Sequence, residues 1–226
     1  RLWLVPANAS SVVSDLSVAA RTVVKGQETG FTKALPTLSR AASRADVVGA
    51  YASYDVGVAQ LGLGRADEAR KTFRTIVDRH PGPWLTEQAG LGEARSTEAL
   101  HDNAAAADLY ERLLQAKGLR QDEVLQRLGL TAKLSGQSER AVRAFMRLYY
   151  EFPLSEFAPS AAVELAVLPG VPAIAPGSER FTLELARAER LFTAKQYAPA
   201  RSTFTALKPH ARGDERELID QIGRAH

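Results

Sequence analysis

The sequence predicts an all-α chain built as a right-handed α-α superhelix, a solenoid of antiparallel helix pairs. Three observations carry that expectation. Apolar residues recur at helical spacing along most of the 226 residues. Small residues and aromatics return at fixed distances within successive pairs, and Gly or Pro punctuates the segments.

The clearest pair spans Leu125 to Pro153. Leu125, Leu128, Gly129 and Ala132 lie on one face of a first helix, and Ser135-Gly136-Gln137 breaks it because glycine readily adopts the left-handed conformation that ends helices. Ser138 is expected as the N-cap of the second helix, whose face is Ala141, Ala144, Phe145 and Leu148 and whose stop is Pro153. Small residues at Gly129 and Ala141 let the backbones approach, with Leu128 and Phe145 filling the space around them.

A pair that cannot bury its own apolar face predicts copies of itself. Gly57, Ala69, Phe73 and Pro81 repeat the pattern: Ala follows Gly by 12 residues and Pro follows Phe by 8 in both copies. A weaker copy has Ala94, Ala106, Tyr110 and Leu113, and another has Ala188, Leu191, Ala200, Phe204 and Leu207. The organisation that follows is a helical-repeat region over 1–168 with its clearest copies at 49–81, 84–118 and 122–153. An extra helix at 155–168 comes next, then a Pro/Gly loop or hinge at 169–180, and a further repeat over 181–226 cut at its C-terminal end.

A Gly or Ala in the first helix, an Ala twelve on, an aromatic four later and a closing Pro resemble the tetratricopeptide repeat. That resemblance implies stacked helix pairs with a long concave face made mostly of first helices.

The elements are justified in order as follows. Arg1 in place of Met suggests a fragment or processed form. Leu2 to Val5 reads as a short apolar segment docking on the first pair, the alternative being the tail of a signal peptide ending at Ala7-Asn8-Ala9. Ser11 to Lys25 forms a helix closed by Gly26. Phe31, Ala34, Leu35 and Leu38 mark its partner, with Pro36 expected near that helix's start. Ala45 to Leu61 opens the first good copy, and Gly62-Leu63-Gly64 caps it, since no strand precedes and no P-loop Lys follows. Pro83 and Trp84 start the next pair, Trp84 as a packing anchor. Tyr149-Tyr150-Glu151-Phe152-Pro153 reads as inter-repeat core with one exposed Tyr, the alternative being the lip of a binding groove. Ser155 to Leu168 is a helix without a hairpin partner. Pro169 to Gly177 makes the best hinge or subdomain boundary, and Glu179–Thr193 with Tyr197–Leu207 the last complete pair. Asp214 and Glu215 suit the start of one more helix, and Gly223 falls where a new repeat's glycine belongs.

Composition narrows the chemistry. Hydrophobic residues make up 45%, ordinary for a folded soluble chain, and no run approaches the ~20 apolar residues of a membrane span. With no Cys there is neither a disulfide framework nor a thiolate metal site, and a net charge of +3 with intermixed signs is a poor footprint for nucleic acid. His80, His101, His210 and His226 stand at no mutual helical spacing. His80 and His210 instead sit beside a Pro at a helix end, where imidazole favours the dipole. No nucleophile elbow, zinc-protease motif or phosphate loop occurs, and carboxylates alternate with Arg, as in Glu68-Ala69-Arg70 and Glu184 with Arg187, the pattern of solvated faces. The expectation is a chain without an active site, cofactor or metal.

Tyr149 to Ser155, the Ala-rich helix after it, the Pro/Gly loop and then ERFTLELARAERLFTAKQYAPARSTF resemble the superhelical region ahead of the catalytic domain in bacterial soluble lytic murein transglycosylases. Trp3-Leu4-Val5-Pro6 and the KALPTL segment are similar to that family too. The resemblance implies a periplasmic or cell-envelope enzyme that cleaves peptidoglycan glycan without water, through a Glu in a Glu-Ser motif of a lysozyme-like domain. No Glu-Ser dipeptide and no Gly-Leu-Met-Gln motif exists here, so no catalytic residue carries over and this chain would be the scaffold. The alternative is a free-standing cytoplasmic adaptor that binds a protein partner. The carboxylate-clamp variety is disfavoured because the only Asn residues, Asn8 and Asn103, lie outside well-matched first helices. On either reading the candidate contacts are first-helix cations, Arg95, Arg127, Lys133, Arg187 and Arg190. They stand among small residues that keep a groove open to a protein partner, to the chain's own downstream domain or to the carboxylates of peptidoglycan.

Overall fold

The structure is a computed structural model and describes residues 11–24, 28–44, 46–213, 215–217 and 219. Among the described residues there are eleven α-helices, one 3₁₀ turn and no strand. In chain order they are α1 (Ser11–Val24), α2 (Glu28–Ala42), α3 (Val47–Gly62), α4 (Ala66–Arg79), α5 (Pro83–Ala99), α6 (Asn103–Leu113), α7 (Gln121–Leu134), α8 (Ser138–Glu151), α9 (Ala158–Val167), α10 (Glu179–Thr193) and α11 (Tyr197–Leu207). They fall into two compact units, 1–120 and 121–226, and within each a helix packs chiefly on its chain neighbours. The division lies at 120, and the Pro/Gly loop lies inside the second unit.

One turn recurs four times and sets the geometry of every clear pair. Gly64, His101, Gly136 and Lys195 take positive φ of 74, 60, 76 and 62°. The next residue's N–H then reaches back to the carbonyl five positions earlier: Arg65 to Gln60 (2.9 Å), Asp102 to Thr97 (3.2 Å), Gln137 to Ala132 (2.8 Å) and Gln196 to Leu191 (2.8 Å). This closure satisfies carbonyls that the helix end leaves over. Counting from the left-handed residue, an Ala stands five places on (Ala69, Ala106, Ala141, Ala200) and an aromatic nine on (Phe73, Tyr110, Phe145, Phe204). All eight side chains are at most 3% exposed. The backbone turn thus delivers one small and one large side chain to the same place in each pair.

Close approach explains the helical glycines Gly57, Gly92 and Gly129. A Cβ on Gly129 would stand 2.6 Å from the Phe145 ring, and one on Gly57 would stand 2.7 Å from Phe73. Phe73 also meets Gly92 of the following pair, so one ring locks α3, α4 and α5 together, beside Ile76, Leu85 and Ala89. In the second unit Phe181, Ala188, Leu191, Phe204 and Leu207 form the corresponding core of α10 and α11.

Several boundaries differ from the sequence reading. Pro36 lies well inside α2, which begins at Glu28; its ring is on the exposed side, where water can take over the lost hydrogen bond while Phe31, Ala34 and Leu38 hold the buried face. The N-cap of α8 is Gln137 and Ser138 is already helical, because the closing bond of α7 places Gln137 at the junction, with φ −87 and ψ 64°. The helix expected from Ser155 begins at Ala158. Ser155 instead accepts from the Phe157 N–H (3.1 Å) and donates to Asp122 Oδ2 (2.8 Å), turning the chain before α9. Asp46 caps α3 by accepting from the Gly49 N–H, which moves that helix's start to Val47. The pair Glu179–Thr193 and Tyr197–Leu207 has the expected bounds. Arg1 to Ser10, Gly26, Asp214 and Gly223 lie outside the described residues, while 215–217 are helical.

Candidate functional site

The five first-helix cations do not share one environment. Arg95 is half-buried on α5 in the first unit, and the other four belong to the second. On α7, Arg127 pairs with Glu123 one turn back (3.3 Å), and Lys133 reaches Glu164 of α9 (2.6 Å). On α10, Arg187 lies 3.9 Å over the Tyr149 ring and donates to Thr203 Oγ1 (3.3 Å), while Arg190 donates to the Tyr150 carbonyl (2.7 Å). Each of these four therefore joins two helices or two turns of one helix.

The aromatic cluster at 149–152 proves to be the centre of a polar network. Tyr150 is 3% exposed and its hydroxyl donates to Glu184 Oε1 at 2.9 Å. Arg180 Nε donates to the same hydroxyl (3.2 Å), and another Arg180 nitrogen donates to the Pro172 carbonyl, tying the Pro/Gly loop to α10. Burial, reinforced by the Glu184 carboxylate, pushes the Tyr150 phenol well above its ordinary range against the pull of Arg180. Tyr149 is raised too, again mainly by burial. Glu184 is thus not part of a solvated face. It is 7% exposed because Tyr150 supplies it a donor, and Arg187, expected to pair with it, stacks on Tyr149 instead. The signal available in the sequence was the double Tyr itself, since a buried phenol calls for a polar partner.

Among the described residues, each unit carries an open cleft. In the first, about 580 Å³ separates α4 from α6 above α5, with Arg74 and Arg112 on its walls and Glu93 on its floor. Burial holds the Glu93 carboxyl above the usual range, with those two cations pulling it back. In the second, about 630 Å³ lies between α8, the Pro/Gly loop and α10, floored by Val142, Met146 and Leu183. Trp84, 41% exposed, stacks on Tyr51 at 5.9 Å and flanks Tyr54, so it anchors packing while leaving one edge to solvent.

Among the described residues no three His, Cys, Asp or Glu are placed to hold a metal ion, and no helix is long and apolar enough to cross a membrane. His80 ends α4 with φ 44° and is exposed, His101 occupies a turn, and His210 closes the 3₁₀ segment after α11.

Comparison with known proteins supports the helix-pair unit. The tetratricopeptide repeat profile matches residues 51–83 and 123–155, the two pairs with Gly (Gly57, Gly129) twelve residues before the buried Ala. The pairs with Ala94 and Ala188 at that position share the turn and register but lie outside the match. Among solved structures, the chain is similar to the nearly identical TPR-like repeats of a protein from Podosopora anserina described as a kinesin light chain. The identity is 16%, the TM-score 0.51, and the alignment covers 92% of this chain and 93% of that one. A single-substitution variant of the same protein aligns with TM-score 0.50 at 16% identity, over 92% of each chain. A tetratricopeptide repeat protein from Parabacteroides merdae aligns with TM-score 0.43 at 15% identity, over 95% of this chain and 98% of that one. The first two likenesses, with the repeat match, establish the fold, tetratricopeptide-like helix pairs. No curated protein matches the chain.

Proposed function

We propose that this chain is a non-catalytic scaffold whose helix pairs hold protein partners. The observation that carries the reading is the turn shared by four pairs. It spends the chain's regularity on a framework of helix pairs, and the surfaces left over among the described residues include an open cleft in each unit. The internal engagement of Arg127, Lys133, Arg187 and Arg190 favours shape and apolar contact over a field of cations as the means of recognition. As a free-standing adaptor the protein would work in the cytoplasm. The test is photo-cross-linking from a benzoyl-phenylalanine placed at Trp84 or Leu183, with partners recovered and then reconstituted from purified proteins. Failure of every recovered partner to bind in purified form would overturn the reading.

A finer version makes the chain the superhelical region ahead of a lytic transglycosylase catalytic domain, at the cell envelope. Its support is the resemblance around residues 149–155, followed in order by α9, the Pro/Gly loop and α10. The family and structure matches carry the repeat and not the cell-wall link. On this version Arg95, Arg127, Lys133, Arg187 and Arg190 would add weak attraction to peptide-stem carboxylates. Sedimentation with insoluble sacculi over a salt series tests it. Binding at low salt that weakens when Arg127, Lys133 and Arg187 become Gln supports it, and no binding removes it. Incubation with peptidoglycan should yield no anhydro-sugar product.

A further inference from the structure

Arg180 is the point at which the Pro/Gly loop is held. The residue is half-buried on α10 and donates to two neutral oxygens, the Tyr150 hydroxyl (3.2 Å) and the Pro172 carbonyl. Among the described residues, the bond to Pro172 is the one hydrogen bond that joins the stretch 169–174 to a helix. The Leu168 N–H, bonded to the Glu164 carbonyl (3.0 Å), anchors the chain before that stretch, and Ile174 packs on the α10–α11 core at its end. Pro169, Gly170 and Pro172, between these anchors, form one wall of the α8 cleft.

The arrangement leaves Arg180 an alternative. Glu184 stands one turn farther along α10, the spacing at which a cation and a carboxylate meet on a helix. Among the described residues no ion pair joins the two; the phenol bridges them, accepting from Arg180 Nε and donating to Glu184 Oε1 at 2.9 Å. Tyr150 is 3% exposed, so the bridge is shielded from water. A carboxylate attracts a guanidinium more strongly than a neutral carbonyl does, the more so away from water. Without the phenol, Glu184 would be a buried carboxylate lacking its donor, a costly state that Arg180 can relieve. To reach it the guanidinium must shift, which draws its other nitrogen away from Pro172.

We propose that Arg180 is a two-position latch on the Pro/Gly loop, closed on the Pro172 carbonyl while Tyr150 bridges it to Glu184, and open once it pairs with Glu184 directly. Tyr150 is then a positioning residue. It fixes the cleft wall without a hydrogen bond to it, by keeping Arg180 and Glu184 apart. The two positions compete for one guanidinium, so they exclude each other, and unseating the phenol releases the wall. The switch operates whatever the cleft binds and does not draw on the scaffold reading.

The chain has no Cys, so Glu139→Cys on α8 and Ala173→Cys on the loop, both exposed positions, carry two unique spin labels across the cleft. Pulsed electron paramagnetic resonance then reads the distance from α8 to the wall. The doubly labelled chain should show one narrow distance. Arg180→Met should lose it, and so should Tyr150→Phe, which leaves the Arg180 side chain itself intact. Adding Glu184→Gln to Tyr150→Phe removes the charge that draws Arg180 away, and should restore the narrow distance. Circular dichroism checks that each variant is folded, and Arg180→Met, at a half-exposed position, carries the test if Tyr150→Phe does not fold. A narrow distance kept in Arg180→Met means that Ile174 alone holds the loop, and one kept in Tyr150→Phe means that Arg180 has a single position. Either result overturns the latch, as does a distance that stays broad in Tyr150→Phe/Glu184→Gln.

Discussion

The Phe145 ring occupies the space that a side chain on Gly129 would need, with ring carbons 2.6 Å from where a Cβ would stand. Both residues are buried, and α7 and α8 meet at this contact. Gly129→Ala should therefore force the ring or the helices apart, costing about 1–3 kcal/mol. Urea unfolding followed by circular dichroism measures it, and a change within about 0.5 kcal/mol, the range of ordinary surface substitutions, would show that the pair relaxes freely.

Ala141, fully buried beside that ring, is the second tight point. Ala141→Leu should destabilise by about 1–3 kcal/mol through overpacking. Ala141→Ser, close to Ala in size, should lose less through packing and more through its buried hydroxyl. An undiminished midpoint for the Leu variant would mean a void adjoins this position.

Tyr150 makes a pH prediction. Its folded phenol titrates above its unfolded value of about 10. The contribution is complete below that value and is lost as pH rises beyond it toward the folded value. In an ultraviolet titration of the folded chain, Tyr150 should stay protonated while exposed tyrosines ionise, and stability should fall on the alkaline side. Tyr150→Phe should remove that component and cost about 1–3 kcal/mol, because buried Glu184 loses its donor.

Glu87 fastens the connection that follows α6. Its two carboxylate oxygens accept from the backbone amides of Gly118 (2.8 Å) and Lys117 (3.3 Å). Glu87→Ala should cost about 1–2 kcal/mol and speed hydrogen exchange at those two amides. Unchanged exchange there would show that the connection is held by other contacts.

The sequence revealed helix pairs well and the polar network poorly, for one physical reason. Periodicity, Gly and Pro are local signals, so α10 and α11 were legible to the residue, and so was the need for a small residue at Gly129, though not that the Phe145 ring itself fills its place. Glu184 looks the same in sequence whether it is solvated or buried. Its state depends on Tyr150, 34 positions earlier, brought to it by packing of α8 against α10. The left-handed turns at His101 and Lys195 were hidden likewise, since neither residue advertises positive φ and the surrounding hydrogen bonds impose it.

The recurring turn has a consequence for how such a chain can change length. Each pair measures its own alignment from the left-handed residue at its middle, so the interval to the preceding pair carries no information. Those intervals are in fact unequal: 37 residues from Gly64 to His101, 35 to Gly136 and 59 to Lys195, the last accommodating α9 and the Pro/Gly loop. Insertions and deletions are accordingly expected to be tolerated better between pairs than within them. Material standing between pairs, as α9 and the Pro/Gly loop do, leaves the alignment within each pair to that pair's own turn.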